Sequence, residues 1–523
     1  MKWTLLLAGT IFLASCHKDL DRFPPNDVTS ATLYANEDGY KQVLAKVYGS
    51  MALTGNSGPA GSGDVAGIDE GTSDYLRLYW KAQELSTDEA VVAWNDPGIQ
   101  DFHNMNWSAS NPMLIGLYSR CFYTITLCNE FIRESAPEKL DERGLTGATG
   151  ESIRTMRAEA RFVRAFMYWS LMDLYGNPGF TNEETPIGAA VRPEQIERAE
   201  LFSYIESELN AVEAELPNAR SNAYGRADKA AVWALLARMY LNAQVYTGTA
   251  KYTEAVNNAR KVITAGYTLI SDYRNLMLAD NNTSNTEVVW TLNYDGLKTK
   301  NYGGTTFLVN ASVGGDMDQT VSGLSKWGGI RTTKVLPQLF PDFTGAADKR
   351  AQFFQQNLEI EKISEFKDGF AVTKYRNRTR SGGFGSDPEK TFSDIDFPVF
   401  RLAEMYLIYA EGVLRGGSGG DRPTALSYIN LLRTRAYGST SGNISDVSLN
   451  LDFVLDERAR ELYWEGHRRT DLIRYGKFTD ASYLWPWKGG VKNGTGVDAF
   501  RRLYPIPSPE VGSNPNIKQN SGY

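Results

Sequence analysis

The chain has 523 residues, of which 42% are apolar and 22% charged, and its formal net charge is -7. That balance excludes a disordered chain, and it excludes a nucleic-acid surface, which needs a clustered basic face that nothing beyond His467-Arg468-Arg469 offers. With 28 Tyr, 23 Phe and 11 Trp, the rings exceed what a helical core consumes, so some are expected on contact surfaces.

At the N-terminus, Lys2 precedes an apolar run over 3–12 and then Leu13-Ala14-Ser15-Cys16, a small-residue processing site ending in cysteine. The pattern predicts a lipoprotein signal peptide over 1–15, lipid attachment at Cys16, and a polar tether over 16–33. Each buried acyl methylene contributes about 0.8 kcal/mol, so several chains on Cys16 would anchor the protein stably. No later stretch is apolar for long enough to cross a bilayer.

A helix is expected over 34–53, with Tyr40, Val43, Leu44, Val47 and Tyr48 inward and Gly55 beyond its end. A Gly, Ser and Asp-rich connection over 55–72 follows. Neither period is sustained over 72–107, which reads as ordered loop. Helix returns over 113–132, where Cys121 and Cys128 sit seven residues apart, roughly 10 Å along a helix, too far for a disulfide. The longest helix spans 153–175 and is apolar on two sides, with Gly176-Asn177-Pro178 stopping it.

After a helix over 201–216 comes a pair of helices within 225–263. Ala227, Ala230, Ala231, Ala234, Ala237 and Leu241 form a narrow stripe of small side chains. Tyr252, Ala255, Val256, Ala259, Val262 and Ile263 repeat the period after Thr247-Gly248. Neither helix buries its stripe alone, so the pair reads as a tetratricopeptide-type unit that must stack on others. Short β-branched runs, Gly-Gly pairs and Asn clusters over 275–391 suit short strands and long loops. Helices resume at Phe400, with a partner over 424–436. From Asp452 onward Glu457, Arg458, Glu461, Glu465, Arg468, Asp471 and Arg474 form a charge run of the kind that marks a solvated or salt-bridged face.

The expected fold is therefore mainly α: a tetratricopeptide-like helix-pair scaffold with a loop-rich, partly β second unit. Its divisions are a helical scaffold over 34–274 with an inserted binding loop near 55–110, a loop-rich unit over 275–399, and C-terminal helical pairs and tail over 400–523.

No catalytic signature is found. Of three histidines, His17 lies in the tether, and neither His103 nor His467 sits in a metal-spaced or triad-like pattern. Asp69-Glu70 and Asp88-Glu89 offer carboxylate pairs, but with 62 acidic residues such neighbours arise by chance. No enzyme and no cofactor is expected, and a calcium ion steadying a loop is left open. Three aromatics do stand outside any apolar stripe, in loops rich in Gly, Asn or Pro: Trp94 in Ala93-Trp94-Asn95-Asp96-Pro97-Gly98, Tyr302 in Lys300-Asn301-Tyr302-Gly303-Gly304, and Trp327 in Lys326-Trp327-Gly328-Gly329. Rings displayed beside amides and charges suit the apolar C–H face of a sugar. Loop indoles that only pin loops to the body fit the same pattern.

Further segments complete a family pattern: Asp69-Glu70-Gly71, Glu84-Leu85-Ser86-Thr87-Asp88-Glu89, Gly225-Arg226-Ala227-Asp228-Lys229-Ala230-Ala231, Phe400-Arg401-Leu402-Ala403-Glu404, Glu465-Gly466-His467-Arg468-Arg469-Thr470-Asp471-Leu472, Trp487-Lys488-Gly489-Gly490 and Tyr504-Pro505-Ile506-Pro507. With the loop motifs they resemble the SusD/RagB family of surface lipoproteins from polysaccharide-degrading Bacteroidetes. The resemblance implies stacked helix pairs, a shallow glycan site on loops, no catalysis, an outer-membrane location on the cell surface, and a TonB-dependent transporter as partner. In starch-binding members it implies an aromatic arc whose rings fall on Trp94, Tyr302 and Trp327, with a contacting arginine at Arg77 and an asparagine contact that falls on Asn95 or is absent. A further arc tryptophan is replaced by Val92, the loop after Trp94 is one residue shorter, and the segment over 340–374 is also shorter. The implied ligand is an α-glucan, with other polysaccharides open. A protein-interaction scaffold is the reading from a different class.

Overall fold

The computed structural model describes residues 30–59, 61–188, 192–283 and 285–523. The signal peptide, Cys16 and the tether as far as residue 29 lie outside the described residues.

Helices dominate. α1 (Glu37–Ala52) starts at Asn36, whose side chain accepts the Gly39 N–H at 3.1 Å, and buries Tyr40, Leu44, Val47 and Met51. α2 (Tyr75–Glu84) begins at Asp74. α3 (Pro112–Glu134) carries proline in its first turn, and Asn111 caps the Met113 and Leu114 amides. α4 (Gly147–Leu174) is buried nearly all round from Ala158 onward, as expected of a helix held between neighbours. α5 (Arg198–Glu213) leads to the predicted pair, α6 (Lys229–Leu241) and α7 (Tyr252–Ile263), with Asp228 capping α6. α8 (Gly304–Ala311) is a short helix inside the loop-rich region. α9 (Leu402–Leu414), α10 (Arg422–Tyr437), α11 (Leu451–Leu462) and α12 (Arg468–Arg474) complete the helices of seven or more residues among the described residues.

Each of these helices hands its apolar face to the next. α1 packs on α3 and α4, α4 on α3 and α5, α5 on α6, α6 on α7, α7 on α9, and α9 on α10 and α11. The small stripes do what their side chains allow. At Gly412 of α9, an added Cβ would lie 2.7 Å from Val256 Cγ2 of α7. One apolar core runs through the array from Tyr34 to Ile517. Cys121 and Cys128 are free and buried within it.

The segment between α7 and α9 leaves the array and returns to it on an antiparallel strand pair, Val288–Leu292 with Phe397–Arg401. Trp290 anchors this base in the core, its ring 5.1 Å from both Phe162 and Phe166 of α4. A separate small cluster, Val313, Met317, Phe366 and Ala371, sits under the loops.

Two expectations need correction. Residues 72–107 are not loop throughout: they hold α2, the short strand Val91–Val92 and a helical turn at Asp101–Asn104. α2 buries Tyr75, Leu76, Leu78, Tyr79 and Trp80 together with Lys81, Gln83 and Glu84, so burial on every side erased the amphipathic period. The helix expected from Phe400 is preceded by strand and starts at Leu402. Of the two readings open for the charge run after Asp452, the salt-bridged one holds, and in the interior, since Glu457, Glu461, Glu465, Arg468 and Asp471 are all buried.

That run forms an internal ion-pair network. Arg401 pairs with Glu287, Glu461 and Glu465 at 2.9, 2.7 and 2.7 Å, while Arg350 pairs with Asp348, Glu457 and Glu461 at 2.7, 2.8 and 3.2 Å. Lys374 reaches Glu465, Arg458 reaches Asp471, and Arg474 reaches Glu411. A buried charge without its partner is far costlier than the pair, so these residues must fold together. They tie α9, α11 and α12 to the returning strand and to the loop-rich region.

Candidate functional site

The loop aromatics are placed by helix ends. Asp74 Oδ1 accepts the Arg77 N–H at 2.8 Å, capping α2, and also the Gly304 N–H at 2.8 Å at the start of α8. One carboxylate oxygen thus joins two helix N-termini, where a negative group is favoured by the exposed N–H groups and the dipole. Burial is the largest influence on this carboxyl and raises it above its ordinary value. Gly303 is required by this junction, because a Cβ there would lie 2.1 Å from Asp74 Cβ. Asn301 is buried, donates to the Ala52 carbonyl at 2.7 Å and accepts the Gly303 N–H. Tyr302 is held between these two fixed points.

At its other end α8 leaves carbonyls that its own turns cannot satisfy. The chain at Trp327 supplies the donors: Trp327 N–H to Asn310 at 2.9 Å, Gly328 N–H to Val313 at 2.8 Å and Gly329 N–H to Ala311 at 2.9 Å. Next, Ile330–Arg331 pairs antiparallel with Val91–Val92, and Ala93 N–H reaches the Gly329 carbonyl at 2.7 Å. The two strands bring the Trp94 and Trp327 loops side by side. A Cβ on Gly329 would lie 2.2 Å from the Trp94 ring, so glycine there lets the indole lie flat on the strand connection.

These constraints gather the three rings. Trp94 and Trp327 have centroids 6.4 Å apart at 48°, and Trp327 and Tyr302 lie 6.3 Å apart at 55°. The Trp94 indole N–H donates to the Trp327 carbonyl at 3.3 Å. All three are half-buried, and Trp94 and Trp327 pack against the main core. Phe307 of α8 supports Trp94 at 6.3 Å, and Phe392 supports Tyr302 at 5.5 Å. Successive tilts of about half a right angle give a shallow curved platform.

Arg77 lies at the edge of the platform, also half-buried. It donates to the Tyr302 carbonyl at 2.8 Å and holds its guanidinium 4.7 Å from the Phe307 ring centroid. Burial pulls it down to about 10, against the partial compensation of Asp69, Asp74 and Asp96, and its buried Nε has no protein partner. One turn on, Lys81 is fully buried beneath Phe307, where burial holds it well below the usual lysine value. Asn95 and Asp96 are exposed beside Trp94. Val92 is fully buried in its strand, so no fourth ring stands at that position.

The structure thus brings Trp94, Tyr302, Trp327 and Arg77 together and leaves Asn95 exposed at the edge. Sequence reasoning missed Phe307, Asp74 and Gly329, which position the rings; the Gly-Gly pairs beside Tyr302 and Trp327 were the available signal. The carboxylate pairs have other duties. Asp88 binds Arg468 through both oxygens at 2.7 Å, Glu84 accepts the Gly466 N–H at 2.7 Å, and Glu89 accepts the Trp464 N–H at 3.1 Å. They form a buried clasp between α2 and the turn before α12. Burial pushes Glu89 up to about 7, and none of the three lies on the platform. His103 is buried and pushed down to about 4, chiefly by desolvation. Among the described residues no group of three or more His, Cys, Asp or Glu is placed to hold a metal ion.

What such a surface can do chemically is contact. Open ring faces accept the C–H faces of pyranoses, and the flanking amide, carboxylate and guanidinium groups bond to hydroxyls. Comparison with known proteins points the same way. The family model described as "SusD family" matches residues 344–523, and one described as "Starch-binding associating with outer membrane" matches residues 78–241. The starch-binding protein SusD of Bacteroides thetaiotaomicron is 35% identical, with 98% of this chain and 96% of that protein covered. Among solved structures, surface glycan-binding protein A of Bacteroides thetaiotaomicron superposes with a TM-score of 0.71 at 20% identity, covering 94% of this chain and 100% of that one. The same protein in complex with laminarihexaose gives 0.70 at 21% identity, covering 92% and 99%.

Proposed function

This chain belongs to the SusD family, and from that membership and the ring platform we propose that it is a non-catalytic glycan-binding lipoprotein of the outer membrane, displayed at the cell surface. It binds starch or α-glucan oligosaccharides on Trp94, Tyr302 and Trp327, with Arg77 and Asn95 at the edge, and delivers them to a TonB-dependent, SusC-like transporter. Cys16 carries the lipid anchor. No cofactor takes part. The observation that carries this reading is the grouping of three half-open rings, 6.4 and 6.3 Å apart in sequence of contact, on loops fixed by α8. The starch-binding relative at 35% identity supports an α-glucan over other polymers.

The open shape sets the strength. A platform that desolvates little surface and orders a flexible sugar is expected to bind with dissociation constants on the order of micromolar to millimolar. A second reading, a β-glucan ligand, is favoured by the laminarihexaose complex of a structural neighbour. Calorimetry of the mature chain against maltoheptaose, laminarihexaose and a fructan separates the two. Heat with maltoheptaose alone is the expected result; heat with laminarihexaose alone selects the second reading, and no heat with any sugar removes both.

A further inference from the structure

A second concavity lies away from the rings, between the 272–278 turn and the segment over 376–382, with a volume of about 510 Å³. Its lining is mainly basic: Arg274, Arg376, Arg378 and Arg380 line it, together with Asp272, Thr320 and Val321. Bridges from Arg376 to Leu278 and from Arg378 to Phe384 keep this stretch extended, so a spacing of two puts both side chains on the same side.

Arg331 and Arg469, buried elsewhere without an ion pair, donate to backbone carbonyls. Most buried arginines, such as Arg350, Arg401 and Arg474, are matched by carboxylates. Here only Arg274 is, through Asp272 at 2.6 Å, and Asp280 is occupied by the Arg380 backbone N–H at 3.1 Å. Among the described residues, Arg376, Arg378 and Arg380 form no ion pair. Arg376 donates to the Arg274 carbonyl at 2.9 Å, but its Nε is buried and unpartnered. Arg378 donates to the Thr320 carbonyl at 3.2 Å and to the Gly382 carbonyl, and packs 4.1 Å from the Phe384 ring, which fixes its position. In a chain of net charge -7, three guanidinium groups set around one hollow whose lining carboxylate, Asp272, is already paired with Arg274 are a site that lacks its counter-ion.

We propose that this hollow binds an oxyanion substituent, a sulfate ester or a carboxylate, carried on a saccharide. The anion follows from the guanidinium groups. The saccharide follows from continuity: Thr320 and Val321 belong to the loop that ends in Trp327, and the Asn377 N–H locks that loop to the arginine strand through the Ser322 carbonyl at 2.6 Å. The carrier rests on the glycan reading above, whereas the oxyanion site does not.

The test is calorimetry of the mature chain at low ionic strength with inorganic sulfate, a sulfated dextran oligosaccharide, its neutral parent, and phosphatidylglycerol vesicles. The sulfated oligosaccharide is expected to bind at least about tenfold more tightly than its parent, a margin that added salt erodes. R378Q/R380Q should lose that margin, and so should R380E, a change at an exposed side chain that leaves the core untouched. W94A/W327A, which lose the neutral parent, should still show salt-sensitive binding of the sulfated oligosaccharide, so failure of the ring platform would leave this result standing. Equal binding of sulfated and neutral probes, or an undiminished margin in both arginine variants, overturns the site. Inorganic sulfate binding as tightly as the sulfated oligosaccharide, or vesicles binding in its place, overturns the saccharide carrier.

Discussion

Trp94→Ala and Trp327→Ala should each abolish retardation of the protein in a starch-containing native gel while leaving its thermal midpoint within a few degrees of the wild type. Both rings are only partly buried, at the edge of the core, so truncation costs less packing than at an interior indole, but each supplies one of the three faces a sugar can stack on. A stacked ring contributes about 0.5–1.5 kcal/mol beyond its buried area, and a weak site has no reserve against losing one. Gly329→Ala should act in the same direction without touching a ring that meets sugar. Its new Cβ falls 2.2 Å from the Trp94 ring and must push the indole off the platform. Unchanged mobility of Trp94→Ala and Trp327→Ala in the gel would remove the site assignment, whatever the family.

The largest effect on stability is expected at Arg401. Arg401→Met removes a shared partner of Glu287, Glu461 and Glu465, all buried, and leaves Arg435, Arg350 and Lys374 to balance them, one buried positive charge short. Breaking a buried network in this way costs about 3–5 kcal/mol, whereas Lys492→Met, which removes the exposed pair with Glu361, should cost less than about 1 kcal/mol. Denaturant midpoints of the two variants measure the difference directly; equal losses would mean that the internal pairs contribute no more than surface ones. The same network dictates an acid limit. Arg350 and Arg474 are the leading partners that hold Glu457 and Glu411 down to about 2 against their burial, and Arg435 and Arg401 hold Glu461 lower still. A carboxylate depressed on folding contributes stability that is full above its ordinary value of 4.5 and is lost as pH falls through the folded value. The contribution of this network to the denaturant midpoint should therefore hold from neutrality to about pH 5 and decline steadily toward pH 2.

How far the residues reveal this beforehand depends on whether the signal is local. The Ala stripes of α6 and α7 predict a helix pair because small side chains at a fixed period have one use, and the structure stacks that pair on α5 and α9. α2 stayed hidden because its polar residues are buried along with its apolar ones: Lys81 under a phenyl ring, and Glu84 against backbone N–H groups of the distant Gly466 turn. No period survives when every side is inward. The charge run from Glu457 to Arg474 left solvated and salt-bridged faces both open for a different reason. Its spacing is that of a surface helix, and only the arrival of Arg350, Arg401 and Arg435 from elsewhere in the chain makes an interior of it. The rings of the platform were legible as aromatics without a hydrophobic reason to be in loops. Their mutual distance was not, because it is set by α8, a helix of eight residues that is buried on all sides and carries no stripe.

The central claim is that Trp94 and Trp327 meet an α-glucan with their open faces. The indole N–H resonances of the mature chain, recorded while maltoheptaose is added, test it most directly. The account requires the Trp94 and Trp327 signals to shift along a saturable curve while those of the buried Trp80, Trp169, Trp290 and Trp464 stay in place. Saturable binding of maltoheptaose that leaves both of those two signals unmoved would contradict it.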